Sequence, residues 1–230
     1  MKRIGLIGGM SWESSLEYYR ITNELIKDRL GSPHSSKSIM YSVDFAEFEK
    51  LQHNGEWEVI ASKMINIAKK LVRSGAELIL ICTNTMHKIA EDVQKNIKVP
   101  LLHIADATAE DIKAKQITKV GLLGTKFTME QDFYTGRLKE KHGIDVIIPD
   151  TRERDIVHNV IFKELISGII KEESKVKFKK IIKNLKANGA EGVILGCTEI
   201  PLLIEDEDSE LPIFNTTMLH AKKAVNLALE

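Results

Sequence analysis

The sequence predicts an α/β protein of two pseudo-symmetric lobes, each a parallel sheet flanked by helices. Three observations point there: strand-like apolar runs alternate with longer amphipathic stretches along the whole chain, four blocks of the first half recur in order in the second, and 230 residues suffice for one large domain or two lobes of about 110 residues each. Strands this apolar, separated by segments long enough for crossover helices, belong in parallel sheets covered on both faces.

In chain order the strand candidates are RIGLIGG, SIMYSVDF, AELILIC, KVPLLHI, KVGLLGT, DVIIPD, EGVILGC and LPIFNT. Helical spacing of apolar residues marks Leu16 to Leu30, Trp57 to Ser74, Ala105 to Lys115, Met129 to His142, Arg154 to Ile170 and Glu173 to Asn188. Between the first strand and the first helix lies Gly8-Gly9-Met10-Ser11. Ser14 with Glu17 three residues on has the pattern of a capping box at that helix start. The lysine-rich run Lys171 to Lys183 reads as a solvated helix face, and Glu205 to Glu210 as an acidic surface loop.

The recurrence is collinear. Gly5 and Gly8 in RIGLIGG answer Gly121 and Gly124 in KVGLLGT at an offset of 116, and Gly75-Ala76-Glu77 answers Gly189-Ala190-Glu191 at 114. Cys82 answers Cys197 at 115, and Val99-Pro100-Leu101 answers Leu211-Pro212-Ile213 at 112. Strand, glycine and helix recur in any α/β chain, but four ordered blocks that include both cysteines indicate a duplicated lobe. The expected division is 1–105 plus 212–230 for the first lobe and 106–211 for the second.

Composition excludes several classes of function. The 33 basic residues balance 33 acidic ones, so nothing favours nucleic acid or an anionic membrane surface. The apolar run in MKRIGLIGGM is too short for a signal-peptide core, and no stretch approaches the roughly 20 apolar residues that span a bilayer. A cytoplasmic location is expected. The two cysteines lack the close spacing of a zinc or redox motif, so neither a metal nor a disulfide is expected, and both thiols should be free.

Both cysteines close an apolar strand, and in parallel α/β sheets ligands bind at the carboxyl ends of strands. Two duplicated lobes facing each other would bring one thiol from each to a shared cleft. Racemisation suits such a pair, because a base takes a proton from one face of a tetrahedral carbon and an acid returns one to the other face of the planar carbanion. A thiol, with a reference pKa of about 8.5, can serve as either. Thr83, Asn84 and Thr85 after Cys82, and Thr198 after Cys197, are short polar residues that suit a helix start, where free N–H groups would stabilise a thiolate or a substrate carboxylate. Glu199 stands at the same place after Cys197 as Asn84 after Cys82, and is a candidate for handling or orienting a proton. The turn at Gly124-Thr125 repeats the Gly8-Gly9 loop and offers a second carboxylate-binding edge.

The motifs Cys82-Thr83-Asn84-Thr85 and Gly196-Cys197-Thr198-Glu199, with IGLIGGMSWESS, SVDFAEFEKLQ, HIADAT and GTKFTMEQDFY, resemble the cofactor-independent aspartate/glutamate racemase family, in its broad-specificity amino-acid racemase branch. The resemblance implies a two-thiol mechanism without pyridoxal phosphate or metal, a small amino-acid substrate and a homodimer. It also implies substrate contacts at Met10, Gln52 and Thr83 to Thr85. Where similar aspartate racemases hold the side-chain carboxylate with an arginine and a lysine, this chain reads FAEFEKLQ, without arginine, and FKELISG, with Lys163 displaced. The amino acid preferred is therefore left open.

Other readings explain part of this pattern. A cysteine after an apolar strand is commonly inert packing. His87 is either a general base or a contact on its helix, and His103 and His220 read as packing residues. A two-lobed small-molecule binding protein accounts for duplication but not for paired thiols, and a hydantoin racemase, maleate isomerase or arylmalonate-type decarboxylase accounts for the thiols with a poorer match of neighbouring motifs.

Overall fold

The computed structural model describes residues 1–230. The elements are Ile4–Gly8 (β1), Trp12–Leu30 (α1), Ser38–Ser42 (β2), Phe45–His53 (α2), Trp57–Arg73 (α3), Leu78–Ile81 (β3), Ala90–Lys95 (α4), Leu101–Leu102 (β4), Ile104–Ala114 (α5), Lys119–Gly124 (β5), Lys126–Glu130 (α6), Asp132–His142 (α7), Asp145–Ile147 (β6), Thr151–Lys163 (α8), Glu172–Ala187 (α9), Gly192–Gly196 (β7), Ile213–Asn215 (β8) and Thr216–Leu229 (α10), with short 3-10 turns between some of them. No helix is long and apolar enough to cross a membrane.

The chain divides into two compact units, Met1–Ile104 with His220–Glu230, and Ala105–Leu219. The first carries a sheet of order β2-β1-β3-β4 and the second a sheet of order β6-β5-β7-β8, all neighbours parallel. The duplication extends to hydrogen-bond register, since Gly5 pairs with Ile79 in one sheet and the repeat-equivalent Gly121 with Val193 in the other. Every residue of β1, β3 and β7 is buried, as parallel strands covered on both faces require.

In the first unit α3 buries Ile60, Met64, Ile67, Ala68 and Leu71 at helical spacing, against Ile79 and Ile81 of β3 among others. The other face of the sheet packs Tyr18, Ile21 and Ile26 of α1 with Ala221, Ala224 and Ala228 of α10. In the second unit Phe178, Ile181, Ile182 and Leu185 form the buried stripe of α9, so the lysine-rich run is solvated on one face only.

Several expectations need correction. The first helix starts at Trp12 and its cap is Ser11, whose side chain accepts from the Ser14 amide; Ser14 is helical and turned inward. Asp44 and Phe45, read as strand, start α2, because the Asp44 carboxylate caps it by accepting from the Ala46 amide. The single helix expected from Met129 to His142 is interrupted at Gln131, whose backbone is extended. Arg154 to Ile170 stops being helical at Lys163. The return to the first unit does not fall at 212: Ile213–Asn215 pairs with β7, so the sheet holds this segment in the second unit and the crossing falls inside α10. The acidic loop also carries an inward group, since Asp208 takes ion pairs from Lys175 (2.7 Å) and Lys179 (3.2 Å).

Candidate active site

In the first unit β1 and β3 are adjacent, so the loops that leave their carboxyl ends start side by side. Gly9 adopts φ +89°, and a Cβ there would meet the backbone of Val43, so only glycine allows the chain to turn this closely past the end of β2. The Gly9 amide donates to Ser15 Oγ at 2.8 Å. Met10 is buried among Ile7, Phe48, Ile81 and Met86. Gln52 is a buried polar side chain on α2, one turn beyond Phe48.

Cys82 follows β3 directly. It is 1% exposed and lies with Leu6, Tyr18 and Leu80, and burial alone pushes its thiol far above the usual range. The loop behind it is held by its carbonyls. Ser14 Oγ donates to the Cys82 carbonyl at 3.0 Å, His87 Nδ1 lies 2.8 Å from the Thr83 carbonyl, and the His87 amide donates to the Asn84 carbonyl at 3.0 Å. Asn84 and Thr85 are buried and Thr83 is half-buried.

In the second unit the corresponding strands are β5 and β7. Gly124 and Gly196 sit opposite one another, and a Cβ on Gly124 would come within 2.9 Å of the Gly196 carbonyl oxygen, so this pair keeps the two strand ends close. Thr125 caps α6, its hydroxyl accepting from the Thr128 amide at 3.3 Å. It therefore starts a helix, α6, of only five residues.

Cys197 follows β7 directly and is 8% exposed. Its sulfur lies 2.8 Å from Glu199 Oε2 and donates to it, and Thr198 Oγ1 donates to the same oxygen at 3.0 Å. Burial, the Glu199 charge and that hydrogen bond push the Cys197 thiol up, in that order, while the backbone N–H groups of Glu199 and Thr198 oppose the rise. A carboxylate and two amides thus compete for the protonation state of one sulfur. No three His, Cys, Asp or Glu side chains come together in a metal-binding arrangement.

Of the expected residues, Met10, Gln52, Cys82, Thr83, Asn84 and Thr85 belong to the first unit, and Thr125, Cys197, Thr198 and Glu199 to the second. Two participants were not foreseen as such. Ser14, read as a cap, grips the Cys82 carbonyl, and His87 grips the next one. The signal for Ser14 was present in its doubled serine, Ser14-Ser15, on a helix start where one hydroxyl cannot serve both neighbouring loops.

A profile described as Asp/Glu/Hydantoin racemase matches residues 7–224. The chain is 53% identical to a candidate Asp/Glu racemase from Yersinia pestis, with a TM-score of 0.94 and the whole of both chains covered. It is 40% identical to an aspartate racemase homologue from Pyrococcus horikoshii, again over the whole of both chains, with a TM-score of 0.87. The broad-specificity amino-acid racemase RacX of Bacillus subtilis is 26% identical over 170 residues, covering 72% of this chain and 71% of RacX.

Proposed function

As a member of the Asp/Glu/hydantoin racemase family, to which the chain belongs over residues 7–224, this protein is an isomerase acting on amino acids, and we propose that Cys82 and Cys197 are the two acid–base groups of a cofactor-independent L/D interconversion. The observation that carries the reading is the matched placement of the two thiols: each directly follows an inner strand of a four-stranded parallel sheet, and the two sheets share strand order, with β7 one residue longer than β3 before its cysteine. A duplicated pair suits a reaction whose forward and reverse steps exchange the same two roles.

In this reading Glu199 receives the Cys197 proton along the 2.8 Å hydrogen bond, and the Thr198 and Glu199 amides stabilise the thiolate formed. The thiolate takes the α-hydrogen as a proton, the electron pair stays on the α-carbon as a planar carbanion, and the Cys82 thiol returns a proton to the opposite face. Glu199 then passes its proton back through Cys197 or to solvent, and Cys82 is reprotonated from solvent. For the other enantiomer Cys82 is the base and Cys197 the acid. The substrate carboxylate binds at the amides that follow Cys82, with Thr85 and Thr125 at its edges, and Met10 and Gln52 line the amino-acid site. The broad-specificity name of RacX and the aspartate racemase name of the Pyrococcus homologue support an amino-acid substrate with aspartate and glutamate as first candidates. The family resemblance supports a homodimer, which light scattering tests.

The test is incubation of metal-free protein with single enantiomers in deuterated water. Loss of optical activity with deuterium entering at the α-carbon is expected, and a panel of aspartate, glutamate, homoserine and methionine ranks the substrates. Binding without exchange for every amino acid tried would refute the reading in favour of a binding protein.

A further inference from the structure

We propose that His87 is a positioning residue that aims the amide N–H groups of the Cys82 loop at the substrate carboxylate, an inference that rests on the racemase reading above. His87 is 2% exposed, and both its ring nitrogens are engaged by backbone groups. The Ile104 amide lies 3.2 Å from Nε2 and can only donate, so Nε2 accepts and carries no hydrogen. The hydrogen is then on Nδ1, which donates to the Thr83 carbonyl at 2.8 Å. A ring committed in this way is neutral and of one tautomer, which leaves no nitrogen for a proton in transit.

The surroundings hold that ring in place. The His103 ring stands 4.6 Å away and the His220 ring 5.6 Å away, centroid to centroid. His220 is likewise committed, with Nε2 donating to the Leu102 carbonyl at 2.9 Å and Nδ1 accepting from the Tyr18 hydroxyl at 2.8 Å. The anchor of the Cys82 loop is therefore itself anchored to β4, α1 and α10.

The consequence for the loop follows from the planar trans peptide, in which C=O and N–H of one unit point in opposite directions. With the Cys82 carbonyl held by Ser14, the Thr83 N–H points away from Ser14; with the Thr83 carbonyl held by His87, the Asn84 N–H points away from His87. Successive N–H groups fixed through their carbonyls form the kind of concavity that takes a carboxylate. Two amides directly after the Cys82 thiol place that carboxylate, and with it the α-carbon, beside the sulfur. His87 therefore acts on substrate only through the Thr83–Asn84 peptide.

Three variants separate this role from mere support of the fold. His87→Leu loses the donor to Thr83, and KM should rise about tenfold, the equivalent of roughly 1.4 kcal/mol, with a smaller change in kcat. His87→Asn, whose short amide can donate from the place of Nδ1, should return KM to within about threefold of the parent, whereas His87→Gln, which reaches to the place of Nε2, should not. An unchanged KM in His87→Leu, or Asn no better than Gln, overturns the proposal; if the leucine variant does not fold, the Asn and Gln pair decides alone. Long-range 1H–15N spectra of the parent should show Nδ1 protonated and Nε2 bare, and the reverse tautomer also overturns it. Calorimetric titration with L-aspartate keeps the two claims apart: a parent that binds without exchanging α-deuterium refutes the racemase reading, while the order of affinities parent, Asn, then Gln and Leu still upholds the role of His87, and equal affinities overturn it. A parent that neither exchanges nor binds overturns both.

Discussion

At the end of β3 the Cys82 thiol is governed by burial alone, whereas at the end of β7 the Cys197 thiol faces a carboxylate and two backbone amides. The strands that deliver them are paired in the same register as far as Ile81 and Leu195, but β7 runs one residue further, to Gly196. Cys197 therefore stands one place beyond the position of Cys82, and the residues that follow each thiol differ as well. At the second place after the cysteine one unit has Asn84 and the other Glu199; a carboxylate can take the thiol proton and an amide cannot. Duplication supplied one thiol at each strand end, one place apart in register, and Glu199 makes one of them a sulfur with a built-in proton acceptor. The supports differ as well. The first unit holds its loop with neutral histidines, while the second ties the start of α5 to α7 by an ionic knot, where Asp106 accepts from Arg137 at 2.7 and 2.8 Å, Lys141 at 2.6 Å and His142 at 2.8 Å. Partial burial pushes the Asp106 carboxyl up, but those hydrogen bonds outweigh it and hold it well below the usual carboxylate range.

The sharpest way to break the comparison is to remove one thiol at a time. Cys82→Ser and Cys197→Ser should each lower net racemisation by about 10³-fold or more, and each should keep α-hydrogen exchange with only one enantiomer, opposite in the two variants. Deuterium incorporation followed by NMR checks this, and retention of exchange with the same enantiomer in both variants contradicts opposed roles. Glu199→Gln comes next. Exchange with the enantiomer served by Cys197 should fall about 100-fold, and with the other enantiomer much less. Because the equilibrium constant of a racemisation is one, kcat/KM must fall equally in both directions, so the asymmetry has to be sought in exchange.

The supports respond to pH on the same comparison. Burial holds His220 down at about 3 against an ordinary 6.5, with the Leu102 carbonyl opposing. Between those values the unfolded chain carries the proton and the folded one does not, so this stability is present above pH 6.5 and is lost as pH falls, at up to about 1.4 kcal/mol per pH unit. His220→Asn should flatten the slope of unfolding free energy between pH 6.5 and 4 by one proton, as urea titrations at several pH values would reveal. Asp106 is depressed, so its contribution is present above about pH 4 and declines only below it. The smallest effect is expected for Ser14→Ala, which removes the donor to the Cys82 carbonyl and should cost about 1 kcal/mol in urea unfolding. A much larger loss would mean that the hydroxyl carries more than that bond.

Much of the molecule was legible in its residues. Eight apolar runs became eight strands in two sheets, and the signal is strongest in the inner strands β1, β3, β5 and β7, because a parallel strand buried on both faces must be written almost wholly in apolar residues. Two of the elements that the periodicity does not mark, α2 and α10, have a local signal that competes with a neighbour. Asp44 follows a strand without a glycine or proline to mark the change, so α2 was absorbed into the strand before it, and α10 follows β8 with no intervening loop.

The sequence by itself determined that the chain is an α/β duplication with one thiol after a buried strand in each half, since periodicity and collinear spacing are properties of the chain alone. Only the tertiary structure decided that the two thiols have unlike surroundings. The Cys197–Glu199 hydrogen bond depends on how the chain bends after β7, the grip on Cys82 comes from a serine 68 residues away, and the tautomer of His87 is set by the amide of Ile104. Protonation states are set by distance and by which groups are excluded from water, and the linear order of residues encodes neither.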